Sequence, residues 1–135
     1  MKIILNKCYG GFDVSDAAYR LYAKKKGVNL YNYNNDIKLD TYVKGKSRFG
    51  DSDCYFTKDY GPKVHKKDID WAHDFLYLNS RNRTDPVLIE VIEELGENAS
   101  GPCGRLVVVD IPDDMDWVID NFDGIETLRA NVPVW

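Results

Sequence analysis

The sequence has few of the residues that hold small extracellular or metal-binding domains together. Its 135 residues include only three cysteines, Cys8, Cys54 and Cys103, which lie far apart and form no C-x-x-C pair. This spacing argues against a disulfide framework and indicates reduced thiols. The two histidines, His65 and His73, lie outside any H-E-x-x-H pattern, so we expect neither a metal nor a cofactor.

Long apolar runs and an excess of positive charge are also missing. The longest apolar stretches span only a few residues, and the start becomes polar after three apolar residues, so we expect neither a membrane span nor a signal peptide. Lysine and arginine number 18 against 22 acidic residues, a net charge of −4, which argues against a binder of duplex DNA. The expectation is a cytoplasmic protein without a membrane or duplex-DNA partner.

The chain does have the length for one core and many aromatic residues. Three Trp, nine Tyr and five Phe accompany a hydrophobic fraction of 44% and a charged fraction of 30%, which are typical of a globular protein. We therefore predict a single α+β domain over residues 1–135. Most of the aromatic residues are expected in the core, while Trp71, Tyr77 and Trp117 are candidates to line a cavity.

The first half predicts a strand, a glycine loop and a helix. Residues 2–6 are apolar and β-branched, Ser15 is a good N-cap, and the lysines before Gly27 are typical of a helix end. Residues 28–33 alternate apolar side chains with Asn, which predicts a strand. Residues 34–73 are polar and rich in Asp, Lys and Gly, and they form either hairpins or an ordered functional loop.

The second half predicts another helix between strands. Residues 75–78 favour a strand, and Thr84 or Asp85 caps a helix that has Pro86 at its first position and ends at Gly96. The apolar run 105–111 predicts a central strand covered on both faces. Two further strands flank a turn at residues 123–124. This order predicts an α+β fold with one mixed or antiparallel sheet and two helices packed on it.

Two loops before helices are candidate ligand sites. In the first, backbone N–H groups at Gly10 and Gly11 converge on an anion beside a helix N-terminus, although the glycines equally fit a tight connection. Nearby side chains complete this candidate site: Lys7, Tyr9, Phe12 and Ser15. In the second, Arg81 or Arg83 supplies a counter-charge for phosphate, or forms surface salt bridges.

A catalytic set is not evident from the sequence. Cys8 precedes a glycine loop and a helix, where a thiolate is stabilised, so it is a candidate nucleophile with either histidine as base. No third catalytic group can be identified, and we therefore favour binding over catalysis.

Several segments together resemble a family of small, functionally uncharacterised phage-encoded proteins. They are Ile3 to Phe12, Arg83 to Pro86 with Ile89 to Gly96, Ile111 to Asp114, and Asp123-Gly124. The resemblance covers about half the chain and leaves residues 34–73 unmatched. It implies a phage accessory protein in the host cytoplasm with an anti-defence role, but no catalytic residues.

The resemblance and the residues together predict a ligand sponge. Such a protein captures a small phosphate-bearing, nucleotide-derived signal of host immunity without cleaving it, and is often a homo-oligomer. The alternatives are a small hydrolase that acts on such a ligand and an inhibitor that binds a host defence effector.

Overall fold

A computed structural model describes residues 1–36, 38–45, 54–114 and 116–130. The chain divides into two compact units, one formed by Met1–Tyr22 with Leu78–Trp135 and the other by Ala23–Tyr77. The α+β class is confirmed. The prediction of one sheet is wrong, since the strands in the described part of the chain form three antiparallel sheets. The single-domain assignment stays a prediction.

Two α-helices and nine strands make up the described regular structure, together with short 3₁₀ segments. The helices are α1 (Asp16–Lys26) and α2 (Pro86–Leu95). The strands are β1 (Lys2–Asn6), β2 (Tyr31–Asp36), β3 (Thr41–Lys44), β4 (Cys54–Phe56), β5 (Lys63–His65), β6 (Phe75–Leu76), β7 (Leu106–Asp110), β8 (Trp117–Phe122) and β9 (Ile125–Ala130). Among the described residues, neither helix has the length and apolar character needed to cross a membrane.

Local capping explains where both helices begin. The Ser15 hydroxyl accepts the Ala18 amide at 3.1 Å, as its N-cap role predicts. At α2 the alternative between Thr84 and Asp85 resolves to Asp85, whose carboxylate accepts the Val87 amide at 2.9 Å. The second oxygen of that carboxylate accepts the Tyr22 hydroxyl at 2.6 Å, and burial followed by this bond raises the pKa of Tyr22.

In the first unit, β1 and β7 form a two-stranded sheet that is covered on both faces. Ile3 and Leu5 on one face form a cluster with side chains of the β8–β9 hairpin, while α2 contacts both strands. The prediction of a central strand at 105–111 is wrong in one respect, because within the described residues β7 pairs with β1 alone. The run is continuously apolar because both of its faces are covered.

The second unit contains a five-stranded antiparallel sheet in the order β5-β3-β2-β4-β6. Between residues 34 and 73, which the sequence left open, antiparallel pairs join β2 to β3 and β3 to β5; residues 37 and 46–53 lie outside the described part. Strand β2 begins three residues later than predicted, at Tyr31. Tyr33 and Phe56 are fully buried at the centre of its aromatic core.

Candidate functional site

The glycine loop between β1 and α1 lies against the turn between β8 and β9. Gly10 and Gly11 have φ angles of +119° and +130°, which other residues rarely adopt. The Gly10 amide donates to the Asp123 carbonyl at 3.3 Å. A Cβ on Gly124 would lie 2.8 Å from the Gly11 nitrogen and 2.9 Å from that of Gly10. The turn thus covers the amides expected to meet an anion, and ligand binding at this loop stays a prediction.

Arg83 forms a buried ion pair with Glu126 on β9. The Nη2 and Oε2 atoms lie 2.7 Å apart, and the two side chains are only 14% and 6% exposed. The Glu126 Oε1 atom also accepts the Asn6 amide at 2.8 Å, and Arg83 Nη1 donates to the Ile4 carbonyl at 3.1 Å. We call Asn6, Arg83 and Glu126 the interlock. The Arg83 guanidinium is therefore bonded to groups within the fold. The sequence had offered it either as a counter-charge for phosphate or as part of a surface salt bridge.

Two more of the predicted site residues, Lys7 and Phe12, contact the interlock. The Lys7 ammonium donates to the Glu126 carbonyl at 2.9 Å. The Phe12 ring lies 5.7 Å from the Arg83 guanidinium carbon, a cation–π distance. The structure therefore brings Lys7, Phe12 and Arg83 together, but through contacts that connect the elements of the first unit.

The remaining predicted residues have separate positions. The Tyr9 side chain is 63% exposed. The Ser15 hydroxyl donates to the Asn98 carbonyl at 2.6 Å in addition to capping α1, and its part in ligand binding stays a prediction. Arg81 is exposed, within the short 3₁₀ segment at Ser80–Asn82.

Sequence reasoning missed Asn6 and Glu126. Asn6 is fully buried; its side-chain amide donates to the carbonyls of Cys8 and Gly124 at 2.8 and 2.7 Å, and its oxygen accepts the Arg105 amide at 2.9 Å. All of these partners but Cys8 are about a hundred residues away in the chain, so no local pattern reveals them. Such fully bonded polar networks specify one arrangement of the surrounding elements.

A cavity of about 560 Å³ lies beside β7 in the first unit. We call it the β7 groove; residues lining it include Cys8, Ile92, Glu93, Gly96, Glu97, Ser100, Gly104, Arg105, Leu106, Val107 and Val108. Cys8 is the candidate nucleophile of the sequence, but its own unit contains no histidine. No group of three or more potential metal ligands occurs among the residues that the structure describes.

The second unit has a smaller cavity, of about 390 Å³, at the edge of its aromatic core. We call it the Trp71 cavity, and its lining includes Asp40, His65, Lys66, Lys67, Ile69 and Trp71. The Trp71 ring makes edge-on contacts with Tyr42, Phe56 and Phe75 at centroid distances of 5.4, 5.6 and 5.1 Å. These contacts and a bond from the indole N–H to the Lys66 carbonyl hold the ring in place.

Basic groups predominate in this lining. The His65 Nδ1 atom accepts the Lys67 amide at 3.2 Å, so the neutral ring carries its proton on Nε2, where it is a donor. The Lys66 amide donates to the Asp40 carbonyl at 2.8 Å. Among the described residues of the lining, two lysines and one histidine thus accompany a single acidic residue, Asp40.

Two carboxylates nearby, those of Asp70 and Asp74, form hydrogen bonds with neighbouring side chains. The bond from His73 Nδ1 to Asp70, at 2.9 Å, holds the pKa of Asp70 below its usual range. Burial raises the pKa of Tyr60, and the hydrogen bond from its hydroxyl to Asp74 acts in the same direction. The described lining itself therefore holds two lysines, Lys66 and Lys67, against the one carboxylate of Asp40.

Comparison with protein-family models, with curated proteins and with solved structures finds no match for this chain. The resemblance to phage-encoded proteins accordingly stays a prediction.

Proposed function

We propose that the protein binds and sequesters a small phosphate-bearing, nucleotide-derived ligand without cleaving it, and that the Trp71 cavity holds this ligand. The observation that carries the proposal is the combination of a fixed indole with Lys66, Lys67 and His65 around one cavity. In the setting implied by the family resemblance, the ligand is a signalling molecule of host immunity.

The chemistry of the lining suits the two parts of a nucleotide. A base that stacks on an aromatic side chain gains about 1–3 kcal/mol, and Trp71 is already held by its three ring neighbours. Ammonium groups and the imidazole N–H form charge-assisted hydrogen bonds to phosphate oxygens. The cavity volume of about 390 Å³ lies in the range of about 300–1,000 Å³ that is typical of ligand sites.

The lining also favours capture over turnover. The described residues of the lining include no cysteine, serine or threonine to act as a nucleophile. A hydrolytic alternative would depend on His65 or Asp40 as a general base for water. These two residues keep the hydrolase as the second candidate function.

Calorimetry with ADP-ribose derivatives and cyclic dinucleotides tests the proposal. We expect at least one of them to bind at micromolar strength and to be recovered intact after heat denaturation of the protein. Lys67→Glu should weaken this binding about tenfold or more, because it replaces an attraction for phosphate by a repulsion. Lys63→Glu is the matched control, since Lys63 is an exposed lysine of the same unit and is not part of the cavity lining.

Three outcomes separate the candidates. Failure of the folded protein to bind any of these ligands would eliminate the sponge. Equal effects of the two charge reversals would show that the ligand is bound elsewhere. Recovery of a cleaved ligand would establish the hydrolase, with His65→Ala as the variant that should abolish cleavage.

A further inference from the structure

The outer edge of β1 is occupied by the interlock and its neighbours. The Ile4 amide donates to the Arg83 carbonyl at 2.9 Å, and the Ile4 carbonyl accepts Arg83 Nη1 at 3.1 Å. The Asn6 amide donates to Glu126 at 2.8 Å. The backbone groups of Ile4 and Asn6 therefore point away from β7.

The outer edge of β7 is different. Val108 is directly opposite Ile4. In an antiparallel pair, the backbone N–H and C=O groups of two opposed residues either both point toward the partner strand or both point away from it. The Val108 amide and carbonyl hence point outward, as do those of Leu106 and Asp110. The Leu106 amide is bonded to the Ser100 hydroxyl at 2.7 Å, whereas nothing in the described part of the chain bonds to the Val108 amide or carbonyl.

We infer that β7 is a dimerisation edge, and that the β7 strand of a second copy of this chain pairs with it antiparallel about a two-fold axis at Val108. In this register the Val108 amide of each copy donates to the Val108 carbonyl of the other. The Asp110 amide of each copy likewise reaches the Leu106 carbonyl of the other. These are the backbone groups that the β1–β7 pair leaves outward, so the edge is complementary to itself.

The side chains of β7 also suit pairing with a second copy. Val107, Val108 and Val109 carry no charge and include no proline, so the centre of the strand lacks two of the devices by which exposed edges avoid pairing. In the paired register, Leu106 of each copy stands opposite Asp110 of the other and the valines stand opposite valines, so no like charges are directly opposed.

The β7 groove supplies apolar surface for the same contact. Ile92, Leu106 and Val108 line it beside the free edge. In the paired register, the side chain of Val108 from the second copy lies on the same sheet face as Val108 and covers this surface. The dimer does not depend on the ligand proposed for the Trp71 cavity.

Sedimentation velocity over a wide range of concentrations tests the inference. We expect the mass to approach twice the 15.5 kDa of the single chain as concentration rises. Val108→Pro removes an amide that makes no bond within the β1–β7 pair, so the monomer should stay folded while the dimer dissociation constant rises about tenfold or more. Val108→Thr, which keeps the amide, should still dimerise.

Hydrogen exchange provides a measurement that needs no variant. The Val108 amide should be protected at high concentration and exchange rapidly at low concentration. A mass of one chain at all concentrations would overturn the inference. So would a dimer in which Val108→Pro has no effect, or in which exchange at Val108 does not depend on concentration.

Discussion

Removal of the Glu126 carboxylate is expected to destabilise the protein strongly. Glu126→Ala leaves the Arg83 guanidinium without its counter-ion and the Asn6 amide without its acceptor, both in a buried environment. Breaking a buried ion pair from one side costs about 3–5 kcal/mol. A typical domain has only about 5–15 kcal/mol of stability, so this loss would remove a large part of the stability of the fold.

Urea unfolding followed by circular dichroism measures the loss against a control on the same hairpin. Arg129 and Asp120 also form an ion pair at 2.7 Å, but their side chains are 58% and 51% exposed. Asp120→Ala should therefore cost no more than about 1 kcal/mol. The double variant Arg83→Ala with Glu126→Ala should lose less than the sum of the single losses. A Glu126→Ala loss within about 1 kcal/mol of the Asp120→Ala loss would refute the reasoning.

Two further perturbations test the loop contacts and the pH dependence. Gly124→Ala should destabilise the protein by at least about 1 kcal/mol more than Gly11→Ala. Both glycines have positive φ, but only a Cβ at position 124 would overlap with backbone atoms of the glycine loop. Equal melting temperatures of the two variants would contradict this prediction. The pKa of Tyr22 is raised in the folded state, so its contribution to stability is complete below its unfolded pKa of about 10 and is lost as pH rises through the folded value. The advantage of wild type over Tyr22→Phe in urea unfolding should shrink above pH of about 10, whereas parallel curves would show that the tyrosine does not titrate as described.

Sequence reasoning predicted the elements that local chemistry determines. The caps at Ser15 and Asp85 and the turn at 123–124 depend on neighbours within a few residues, and the structure has them. The apolar run 105–111 correctly indicated cover on both faces. It did not distinguish a central strand from an edge strand, because the polarity of the side chains does not show whether the backbone is hydrogen-bonded to one neighbouring strand or to two.

The candidate sites were less predictable, because their residues find partners that are distant in the sequence. Arg83 was recognised as a guanidinium beside a helix, but its partner Glu126 is 43 residues away and stands in a strand of ordinary polarity. The Trp71 cavity was foreseen only as a possible use of one aromatic residue. Its lysines directly follow β5, and their position depends on the register in which β5 pairs with β3. A pattern in a single sequence does not reveal that register.

The most direct test of the central proposal is an NMR titration of the ¹⁵N-labelled protein with the tightest ligand found by calorimetry. We predict that the largest shifts occur at the Trp71 indole N–H and at the amides of Lys66 and Lys67, with little change at Gly10 and Gly11. Shifts centred on Gly10 and Gly11 would place the ligand at the glycine loop and contradict the assignment to the Trp71 cavity.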